Sequence, residues 1–309
     1  MQIITSLREF PDLAYSVVSS GTFDGVHRGH KKILSRLVEV ARQNAGQSVV
    51  ITFSPHPRIF FGEKVHLLTS LDEKIQLLSQ TGIDYLLILP FNQGLANLEA
   101  EDFVQKIYIE ALQTKKLVIG YDHHFGKNRR GNFEFLQQHI QNYPFEIEEI
   151  AAQDIDDVTI SSTKIRNALH RGDVKTANLY LGYAYRFSGK VVRGDQIGRT
   201  IGYPTANLQL LDPYKLIPAE GIYAVKVRLG QETFGAMLYI GNRPSLQNNE
   251  KRIEVNIFEF DRDIYNEILE VEFLDFIRKD AKLQGLEALK MRLEQDKIES
   301  LKILANLNE

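Results

Sequence analysis

In the first half of the chain, short apolar runs alternate with segments whose apolar residues recur at helical spacing. Five runs are typical of strands: residues 15–20, 48–53, 85–89, 117–120 and 145–150. Helical spacing joins Ile33, Leu34, Leu37, Val38 and Ala41. Ser70 and Glu73 form a capping box at the start of another helix, which Gly82 should end. This alternation predicts a Rossmann-like α/β domain: a parallel sheet covered on both faces, with ligands at the carboxyl ends of its strands.

The pattern changes near residue 184. From there, apolar segments of strand length are separated by Gly, Pro and Asn: residues 185–192, 221–229, 233–240, 253–260 and 268–276. They predict an antiparallel barrel or sandwich, and of the two we expect a six-stranded-type β-barrel. An amphipathic helix is expected at 285–307, with one apolar face formed by Leu286, Leu289, Leu293, Ile298, Leu301 and Leu304. We therefore expect two domains, residues 1–183 and residues 184–309.

Composition limits the class of protein. The 309 residues are enough for two cores of ordinary size, and 43% hydrophobic with 25% charged residues is typical of a globular protein. No apolar run approaches the ~20 residues that a membrane helix needs. The N-terminus carries Arg8 and Glu9 and lacks the apolar core of a signal peptide, so we expect a cytoplasmic protein without membrane partners. The absence of cysteine excludes disulfides, thiolate metal sites and thiol catalysis.

The distribution of charge further limits the classes of molecule that the protein can bind. The net charge of −3 divides evenly between the two expected domains, so neither has the basic excess that long nucleic acids require. Small phosphorylated ligands remain possible, because they need only a few hydrogen-bond donors. We expect the protein to be a monomer or a weak homo-oligomer. All 8 histidines lie at or before His170. Acid–base chemistry in the second domain must therefore use a carboxylate, a lysine or a tyrosine.

A glycine-rich string follows the first predicted strand and precedes a helix: Gly21-Thr22-Phe23-Asp24-Gly25-Val26-His27-Arg28-Gly29-His30. Its glycines let the backbone approach a ligand closely, and the helix start offers free N–H groups and the positive end of the helix dipole. His27 and His30 can both point at an anion held there, as phosphoryl or nucleotidyl transfer requires. A turn with two surface histidines is the alternative, but the packed string favours a phosphate site.

A second helix opens with Ile160-Ser161-Ser162-Thr163-Lys164-Ile165-Arg166. The hydroxyls of Ser162 and Thr163, the helix start and the Arg166 guanidinium can together cradle a polyphosphate. Alone, such a sequence is usually only a helix cap. Together with His27 and His30 in an α/β domain, it predicts a nucleotide site.

These two strings resemble the signature of the nucleotidyltransferase superfamily. Three further segments are similar to the FMN adenylyltransferase module of bacterial bifunctional riboflavin kinase/FAD synthetases: Phe53-Ser54-Pro55-His56-Pro57, Gly120-Tyr121-Asp122-His123-His124-Phe125-Gly126-Lys127 and residues 172–182. The resemblance implies that a substrate phosphate attacks the α-phosphorus of ATP directly and that pyrophosphate leaves. His27 and His30 would then stabilise the transition state.

The same resemblance implies which residues contact which ligand. ATP and its phosphates are expected beside Gly21, Phe23, Asp24, Gly25, Ser162, Thr163 and Arg166. The flavin site is expected beside Pro55, His56, Asp122 and Phe125. His56 can equally be a residue that shapes its loop, and His123 and His124 can be surface residues.

The second domain contains a longer glycine-rich string: Gly194-Asp195-Gln196-Ile197-Gly198-Arg199-Thr200-Ile201-Gly202-Tyr203-Pro204-Thr205-Ala206-Asn207. Gly198 and Gly202 place flexible backbone beside phosphate, and the rigid ring of Pro204 fixes the backbone that leads into the next residues. Thr205 and Asn207 are two residues apart, so they share one side of an extended strand and offer neutral oxygens there. Such oxygens suit the Mg²⁺ of Mg–ATP, although a glycine-rich hairpin is the alternative.

This string resembles the riboflavin kinase signature, and the likeness continues through 221–225, 240–244, 254–260, 263–265 and 276–278. It implies that Glu254 takes the proton of the ribityl 5′-hydroxyl as that oxygen attacks the γ-phosphate of ATP. Arg278 is expected to contact flavin or phosphate, or to form a structural ion pair. The chain departs from the family's usual residues at Asn132, Ser245, Asn256 and Leu283. We expect these departures to affect flavin fit and rate more than the type of reaction.

The two resemblances cover nearly the whole chain. They imply a bifunctional enzyme that makes FMN from riboflavin and ATP in its C-terminal domain, and FAD from FMN and ATP in its N-terminal domain, with Mg²⁺ as cofactor. A cytidylyl or pantetheine-phosphate transferase would have no reason to carry the second string. A flavin-binding module without activity would be expected to lack phosphate-handling residues such as His27 and Glu254, which are present.

Overall fold

A computed structural model of the protein describes residues 1–150, 160–194, 198, 201–242, 251–281 and 285–306. The chain divides into two compact units, Met1–Ser162 and Thr163–Glu309. Each unit has its own sheet, and the two are described in turn. The expected boundary between residues 183 and 184 stays a prediction.

The first unit is built on a six-stranded sheet whose paired strands all run parallel. Its strands are β1 (Gln2–Ile4), β2 (Ser16–Ser20), β3 (Gln47–Ser54), β4 (Tyr85–Pro90), β5 (Thr114–Gly120) and β6 (Glu146–Ile150). They lie in the order β1-β4-β3-β2-β5-β6, so β2 has β3 and β5 as neighbours. The predicted parallel sheet is confirmed. The strand that the pattern missed, β1, has 3 residues, too few to establish an alternation.

Helices connect these strands. They are α1 (Arg28–Gln43), α2 (Pro57–Phe60), α3 (Leu71–Ser79), α4 (Gln93–Ala96), α5 (Ala100–Phe103) and α6 (Phe133–His139), with short 3-10 turns at Leu7–Glu9, Lys127–Arg129 and Ile140–Asn142. Helix α5 continues directly as a π-helical segment, Val104–Ala111. The capping box of α3 is confirmed: the Ser70 hydroxyl accepts from the Glu73 amide at 3.2 Å, and the Glu73 carboxylate accepts from the Ser70 amide at 3.0 Å.

The central strands are largely buried because both faces of the sheet are covered. Every residue of β2 is buried, and Val18 packs in one core with Val49, Leu87, Phe103 and Tyr108. Parallel strands covered on both faces have nearly continuous apolar sequences. The apolar runs in the first half of the chain therefore identified the sheet correctly.

The second unit is a closed antiparallel barrel, as predicted. Its strands are β7 (Arg186–Val192), β8 (Ala206–Leu210), β9 (Gly221–Leu229), β10 (Glu232–Asn242), β11 (Lys251–Ile257) and β12 (Ile268–Arg278). They follow one another around the barrel in the order β10-β11-β8-β7-β12-β9. The sequence pattern missed β8, because its 5 residues overlap the glycine-rich string.

Two helices, α7 (Ser162–His170) and α8 (Val174–Leu181), precede the barrel. The amide of Asn178 in α8 donates to the Phe273 carbonyl at 2.8 Å, and its oxygen accepts from the Tyr185 amide at 2.7 Å. Gly182 ends α8 in the left-handed region, with φ +71°. These contacts attach α8 to the barrel.

A third helix of this unit, α9 (Leu286–Ala305), packs on the barrel. Leu293 and Leu304 lie against a small core of Tyr203, Met237 and Phe258. The predicted terminal helix is confirmed, although Leu286 at its start is 56% exposed. The predicted single apolar face is wrong at Ile298 and Leu301, which are 47% and 45% exposed. The 3.6-residue period turns these two positions away from the strip that Leu293 and Leu304 occupy.

A buried ion pair fastens α9 to β12. Asp296 is 1% exposed, and its two carboxylate oxygens accept from Nε and Nη2 of Arg278 at 2.8 and 2.6 Å. The planar guanidinium matches the carboxylate with two parallel hydrogen bonds. Removing one partner leaves the other charge buried without compensation.

Replacing Asp296 with alanine should lower the free energy of unfolding of the second unit by about 3–5 kcal/mol. Chemical denaturation followed by circular dichroism measures this change. The matched control lies on the same helix: Lys302 and Glu299 are 3.9 Å apart but 68% and 55% exposed. Lys302→Ala should therefore cost less than about 1 kcal/mol. Equal losses in the two variants would contradict the structural role of the Arg278–Asp296 pair.

Candidate active sites

The first candidate site lies in the loop between β2 and α1, at the carboxyl edge of the parallel sheet. Three of its residues have left-handed backbone: Phe23 (φ +46°), Gly25 (φ +85°) and Val26 (φ +35°). At Gly21, a Cβ would lie 3.3 Å from the Phe23 ring. The loop is therefore a tight turn that leads into the N-terminus of α1, the end of a helix that attracts anions.

His27 and His30 lie together at this helix start. His27 is the N-cap of α1, and its Nδ1 accepts from the His30 amide at 3.3 Å. The two rings stack with centroids 3.6 Å apart and 16° between their planes. The Phe23 ring meets His30 edge-on at 5.2 Å. The structure thus brings the two histidines together, while their facing of one ligand and their catalytic role stay predictions.

His30 is held in its neutral form. Burial, then the neighbouring His27 and Lys74, lower the pKa of His30 well below its ordinary value. Its Nδ1 is buried and has no hydrogen-bond partner among the described residues. An anion beside His30 would raise this pKa by favouring the imidazolium, and it would supply a hydrogen-bond partner for Nδ1.

Asp24 is directed into the protein. Its carboxylate is 2% exposed and accepts from the Leu68 amide at 3.0 Å and from the Thr69 amide at 3.1 Å. The main-chain carbonyl of Asp24 accepts from the Ser162 hydroxyl at 3.0 Å. Asp24 and Ser162, both expected to border ATP, thus fix the shape of the loop. Their direct contact with ATP stays a prediction.

Lys74 is a charged residue of this region that the sequence analysis did not single out. It lies on α3 and is 5% exposed, and burial lowers its pKa although Asp24 opposes that shift. A lysine on an amphipathic helix is usually solvated, so the sequence pattern gives no sign of its burial. Its charge belongs to the electrostatic surroundings of His30.

The end of β3 carries the expected flavin loop. The Ser54–Pro55 peptide is cis, and His56 is 8% exposed and caps α2 by accepting from the Arg58 amide at 3.2 Å. A cluster of aromatic residues lies next to it: Phe60, Phe61 and Phe91, with Phe61 59% exposed. The sequence analysis did not single out this cluster, because the three residues are not adjacent on one periodic element.

After β5, two residues that were expected to face ligands differ in their exposure to solvent. Asp122 is exposed, whereas Phe125 is 6% exposed and packs in the core against Phe103 and Tyr108 at 5.4 and 5.9 Å. His123 lies between them, with its Nε2 3.3 Å from the Ser20 hydroxyl of β2. The position of Phe125 in the core favours a packing role, and its flavin contact stays a prediction.

The remaining phosphate residues lie on α7. Thr163 is exposed and Arg166 is half-buried, while Ile165 and Leu169 of the same helix are fully buried. This helix therefore has an apolar side that anchors it and a polar side that carries the expected phosphate ligands.

The second candidate site is a pocket of about 500 Å³ between the barrel and α9. Its apolar wall comes from both elements, through Ile201, Met237, Leu238, Leu289 and Leu293. Its polar residues are Thr205, Tyr239, Arg252, Glu254, Asn256, Arg278 and Asp280. Four predicted site residues, Gly198, Thr205, Glu254 and Arg278, thus line one cavity.

Glu254 projects from β11 beside the predicted metal residues of β8. Glu254 and Asn207 are directly paired across the two strands. The Glu254 carboxylate accepts a hydrogen bond from Nε of Arg252, and the two side chains are 17% and 24% exposed. The carboxylate is thus fixed in place at the pocket wall while it remains accessible.

The glycine-rich turn before β8 is held tightly. The Tyr203 amide donates to the Gly198 carbonyl at 2.8 Å, and a Cβ at Gly198 would lie 2.1 Å from the Tyr203 oxygen. Gly202 has φ +84°. Asn256 donates from its amide to the Pro204 carbonyl at 2.7 Å, which explains the role of this departure from the family.

A second pocket, of about 370 Å³, borders the same turn. Its walls include Pro204, Val255, Asp261, Arg262, Asp263 and Tyr265. Thr205 lines both pockets. The two cavities therefore meet at a residue that was predicted to bind the metal.

Arg278 has a structural partner as well as a place at the pocket. Its bidentate pair with Asp296 takes Nε and Nη2, and Nη1 donates to the Lys279 carbonyl at 3.0 Å. The structural ion pair that the sequence left open is therefore present. The flavin contact of Arg278 stays a prediction.

Tyr239 and Asp280 are pocket residues that the sequence did not reveal. The Tyr239 hydroxyl donates to Asp280 at 2.9 Å, and burial, together with this carboxylate, raises the pKa of Tyr239 to about 12. The two residues are 41 positions apart, so no local spacing connects them.

Two of the four departures can be placed. Asn132 caps α6 by accepting from the Phe135 amide at 2.9 Å, as an aspartate would, and Asn256 supports the glycine-rich turn. Ser245 and Leu283 lie outside the described residues. Within the described ranges, no group of three or more His, Asp or Glu side chains is arranged to hold a metal ion. The helices described contain none with the length and apolar character to cross a membrane.

Two family models match the chain in succession. The model for FAD synthetase matches residues 10–164, and the model for riboflavin kinase matches residues 181–304. The first match covers the loops of His27 and His56 as well as Asp122, and the second covers the glycine-rich turn and Glu254.

Whole proteins match over nearly their full length. The bifunctional riboflavin kinase/FMN adenylyltransferase of Bacillus subtilis is 35% identical, covering 96% of this chain and 95% of that protein. The Pseudomonas fluorescens protein of the same name is 36% identical, with 96% of both chains covered. A crystal structure named macrolide-efflux protein, from Streptococcus pneumoniae, has a TM-score of 0.86 at 34% identity and covers 96% of this chain and 97% of its own. By these matches, the chain belongs to the family of bifunctional riboflavin kinase/FMN adenylyltransferases.

Proposed function

We propose that the barrel phosphorylates riboflavin at the expense of ATP, and that the first unit joins the resulting FMN to the AMP part of a second ATP. The observation that carries this proposal is the presence of two separate phosphate-handling sites, each inside the matching family module. One is the His27–His30 pair at a helix start, and the other is Glu254 beside a glycine-rich turn.

In the kinase reaction, the pocket beneath α9 takes riboflavin. Its apolar wall suits the flavin ring system, and Glu254 stands at the polar side. The Glu254 carboxylate accepts the proton of the ribityl 5′-hydroxyl while that oxygen attacks the γ-phosphorus, and ADP leaves. The ion pair with Arg252 keeps the carboxylate oriented toward its substrate.

ATP takes the neighbouring pocket in this proposal. That pocket contains charged residues such as Arg262 and Asp263, and it meets the flavin pocket at Thr205. The γ-phosphate would lie at the junction, close to the acceptor hydroxyl. In-line transfer requires such an arrangement of donor and acceptor.

The same junction fits Mg²⁺. Thr205 and Asn207 offer neutral oxygens, Glu254 is paired with Asn207 across the strands, and oxygen donors are the ligands that Mg²⁺ prefers. A Cβ at Gly194 would lie 2.0 Å from the Asn207 amide, so the glycine is needed to leave room for this side chain. A bound Mg²⁺ would neutralise phosphate charge and orient the triphosphate.

In the adenylyl transfer, a phosphate oxygen of FMN attacks the α-phosphorus of ATP, and pyrophosphate leaves. His27 and His30 stabilise the charge that develops on the phosphate oxygens, with the N-terminus of α1 beside them. Ser162, whose hydroxyl donates to the Asp24 carbonyl, holds the outer phosphates in this proposal, and the same role for Thr163 and Arg166 stays a prediction from the sequence. The flavin ring lies on the side of His56 and Asp122, where the exposed Phe61 offers an aromatic surface for stacking.

Three expectations about the surroundings of the protein stay predictions from the sequence: the cytoplasmic location, the monomeric or weakly oligomeric state, and the absence of nucleic-acid partners. Incubation with riboflavin, Mg²⁺ and ATP followed by chromatography distinguishes the proposal from its alternatives. FMN followed by FAD supports it. Unchanged riboflavin would favour an inactive binding module.

The two reactions should be separable by single substitutions. His27→Ala should reduce FAD formation from FMN by about 10²–10³-fold and leave riboflavin phosphorylation unchanged. Glu254→Gln should do the reverse, with a loss of about 10²–10⁴-fold in FMN formation. Each activity serves as the folding control for the variant of the other site, and His139→Ala on α6 should affect neither. A Glu254→Gln variant that phosphorylates riboflavin normally would exclude Glu254 as the base.

ATP binding to the first unit should take up a proton. His30 is neutral in the free protein because its pKa is lowered, and a bound triphosphate would raise that pKa. Affinity for ATP should therefore increase as the pH falls from about 8 to about 6. Calorimetry in buffers of different ionisation enthalpy measures the uptake as the difference between the unsubstituted protein and His30→Asn, since ATP bound at the barrel contributes equally to both. The uptake should disappear in His30→Asn, and an unchanged uptake there would assign the proton to another group.

In the turn before β8, Gly198 should not tolerate a side chain. Gly198→Ala places a methyl group against the Tyr203 oxygen, so FMN formation should fall at least about tenfold while FAD formation from added FMN continues. Gly230→Ala is the control for backbone strain, since its position has φ +60° but open space around it, so it should cost some stability and leave kinase activity within about twofold. Normal kinase activity in Gly198→Ala would show that the turn does not need this shape.

A further inference from the structure

Three polar side chains form a hydrogen-bond chain at the carboxyl edge of the parallel sheet. The Tyr108 hydroxyl oxygen lies 2.6 Å from Oγ of Ser20, and Oγ of Ser20 lies 3.3 Å from Nε2 of His123. Tyr108 belongs to the π-helical segment, Ser20 ends β2, and His123 follows β5. We refer to these residues as the Tyr108–Ser20–His123 chain.

The Tyr108 proton must point toward Ser20. Tyr108 is fully buried, with the rings of Phe103, Phe125 and Phe145 around it. Its hydroxyl has no second hydrogen-bond partner among the described residues. If Tyr108 accepted from Ser20, its own proton would be left unpaired in an apolar core, which is unfavourable. Tyr108 therefore donates, and Ser20 accepts.

The Ser20 proton then fixes the tautomer of His123. In the described part of the chain, Nε2 of His123 is the acceptor left within reach of the Ser20 hydroxyl. The imidazole is neutral at physiological pH, because burial, followed by His124 and Arg129, lowers the pKa of His123 to about 4. A neutral imidazole has one protonated nitrogen. Since Nε2 accepts, Nδ1 carries the proton.

The position of the ring gives this N–H group a direction. His123 is half-buried and stacks on Phe125, with centroids 5.6 Å apart, so the core restrains its rotation. The two ring nitrogens face opposite ways, and Nε2 faces Ser20. Nδ1 has no hydrogen-bond partner among the described residues, yet it is not one of their fully buried unpaired polar atoms, so it is open to solvent at the edge where ligands of parallel sheets bind.

We propose that His123 donates a hydrogen bond from Nδ1 to an acceptor oxygen of one of the two phosphorylated substrates of adenylyl transfer, ATP or FMN, and that Tyr108 and Ser20 are positioning residues that fix this tautomer. This inference rests on the function proposed for the first unit. It assigns a ligand contact to a residue that the sequence left as a possible surface histidine, and a functional role to two residues that no motif contains.

Three substitutions of His123 test the donor. Asparagine keeps an N–H group near the place of Nδ1, glutamine carries its amide farther out toward the place of Nε2, and phenylalanine keeps a ring without a donor. His123→Asn should retain FAD formation within about threefold, while His123→Gln and His123→Phe should lose about ten- to a hundredfold in kcat/KM. Riboflavin phosphorylation by the same variants is the folding control.

The kinetic constants identify the substrate that is contacted. A rise in KM for ATP alone assigns the acceptor to ATP, and a rise for FMN alone assigns it to FMN. Full activity of His123→Phe, or an equal loss in His123→Asn and His123→Phe, would overturn the proposal. If the unsubstituted protein formed no FAD at all, the proposed function itself would fail, which is a different result.

The tautomer can be measured without any activity. With ¹⁵N-labelled histidine, two-bond nitrogen–proton spectra at neutral pH distinguish Nδ1–H from Nε2–H, and the signal missing in His123→Asn identifies His123. We expect Nδ1–H in the unsubstituted protein. Ser20→Ala and Tyr108→Phe should lose this fixed tautomer and lower kcat/KM for FAD formation, with FMN formation kept. An Nε2–H tautomer in the unsubstituted protein would contradict the proton assignment.

Discussion

The phosphate loop of the first unit keeps its shape because the Asp24 carboxylate is buried and its oxygens accept hydrogen bonds from the backbone amides of Leu68 and Thr69. A tight turn with left-handed residues is unfavourable by itself and persists only where its surroundings hold it. The Asp24 carboxylate supplies that support, and the Ser162 hydroxyl donates a hydrogen bond to the main-chain carbonyl of Asp24. The same loop leads into His27 and the start of α1.

In the barrel, the neutral side chain of Asn256 stabilises the glycine-rich turn. Asn256 donates to the Pro204 carbonyl, and the hydrogen bond between Tyr203 and Gly198 closes the turn that precedes the predicted metal residues. Because these polar groups are satisfied within the protein, the turn leaves Thr205 at the junction of two pockets. Helix α9 completes the larger pocket, and the buried pair of Arg278 and Asp296 holds it there. The contacts that hold α9 in place thus also shape this pocket.

Burial also decides the charge of the groups at the first site. It keeps His30 and His123 neutral before substrate binds, for the same reason that it makes Lys74 easier to deprotonate: a charged form loses solvation inside the protein. In the proposed adenylyl transfer, His30 would gain a proton when phosphate binds. For His123, a neutral ring combined with a fixed acceptor on one side gives a donor of defined direction on the other.

The sequence by itself determined the parallel sheet, the barrel, the capping box and the two glycine-rich strings, because each depends on residues that are close in the chain. Only the tertiary structure decided that Phe125 packs in the core, that Arg278 pairs with Asp296, and that Ile298 faces solvent. The contact of Tyr108 with Ser20 crosses 88 residues, and no spacing rule spans that distance. Local patterns fix the elements and their ends, whereas the partner of a buried polar group depends on which elements the folded chain brings side by side.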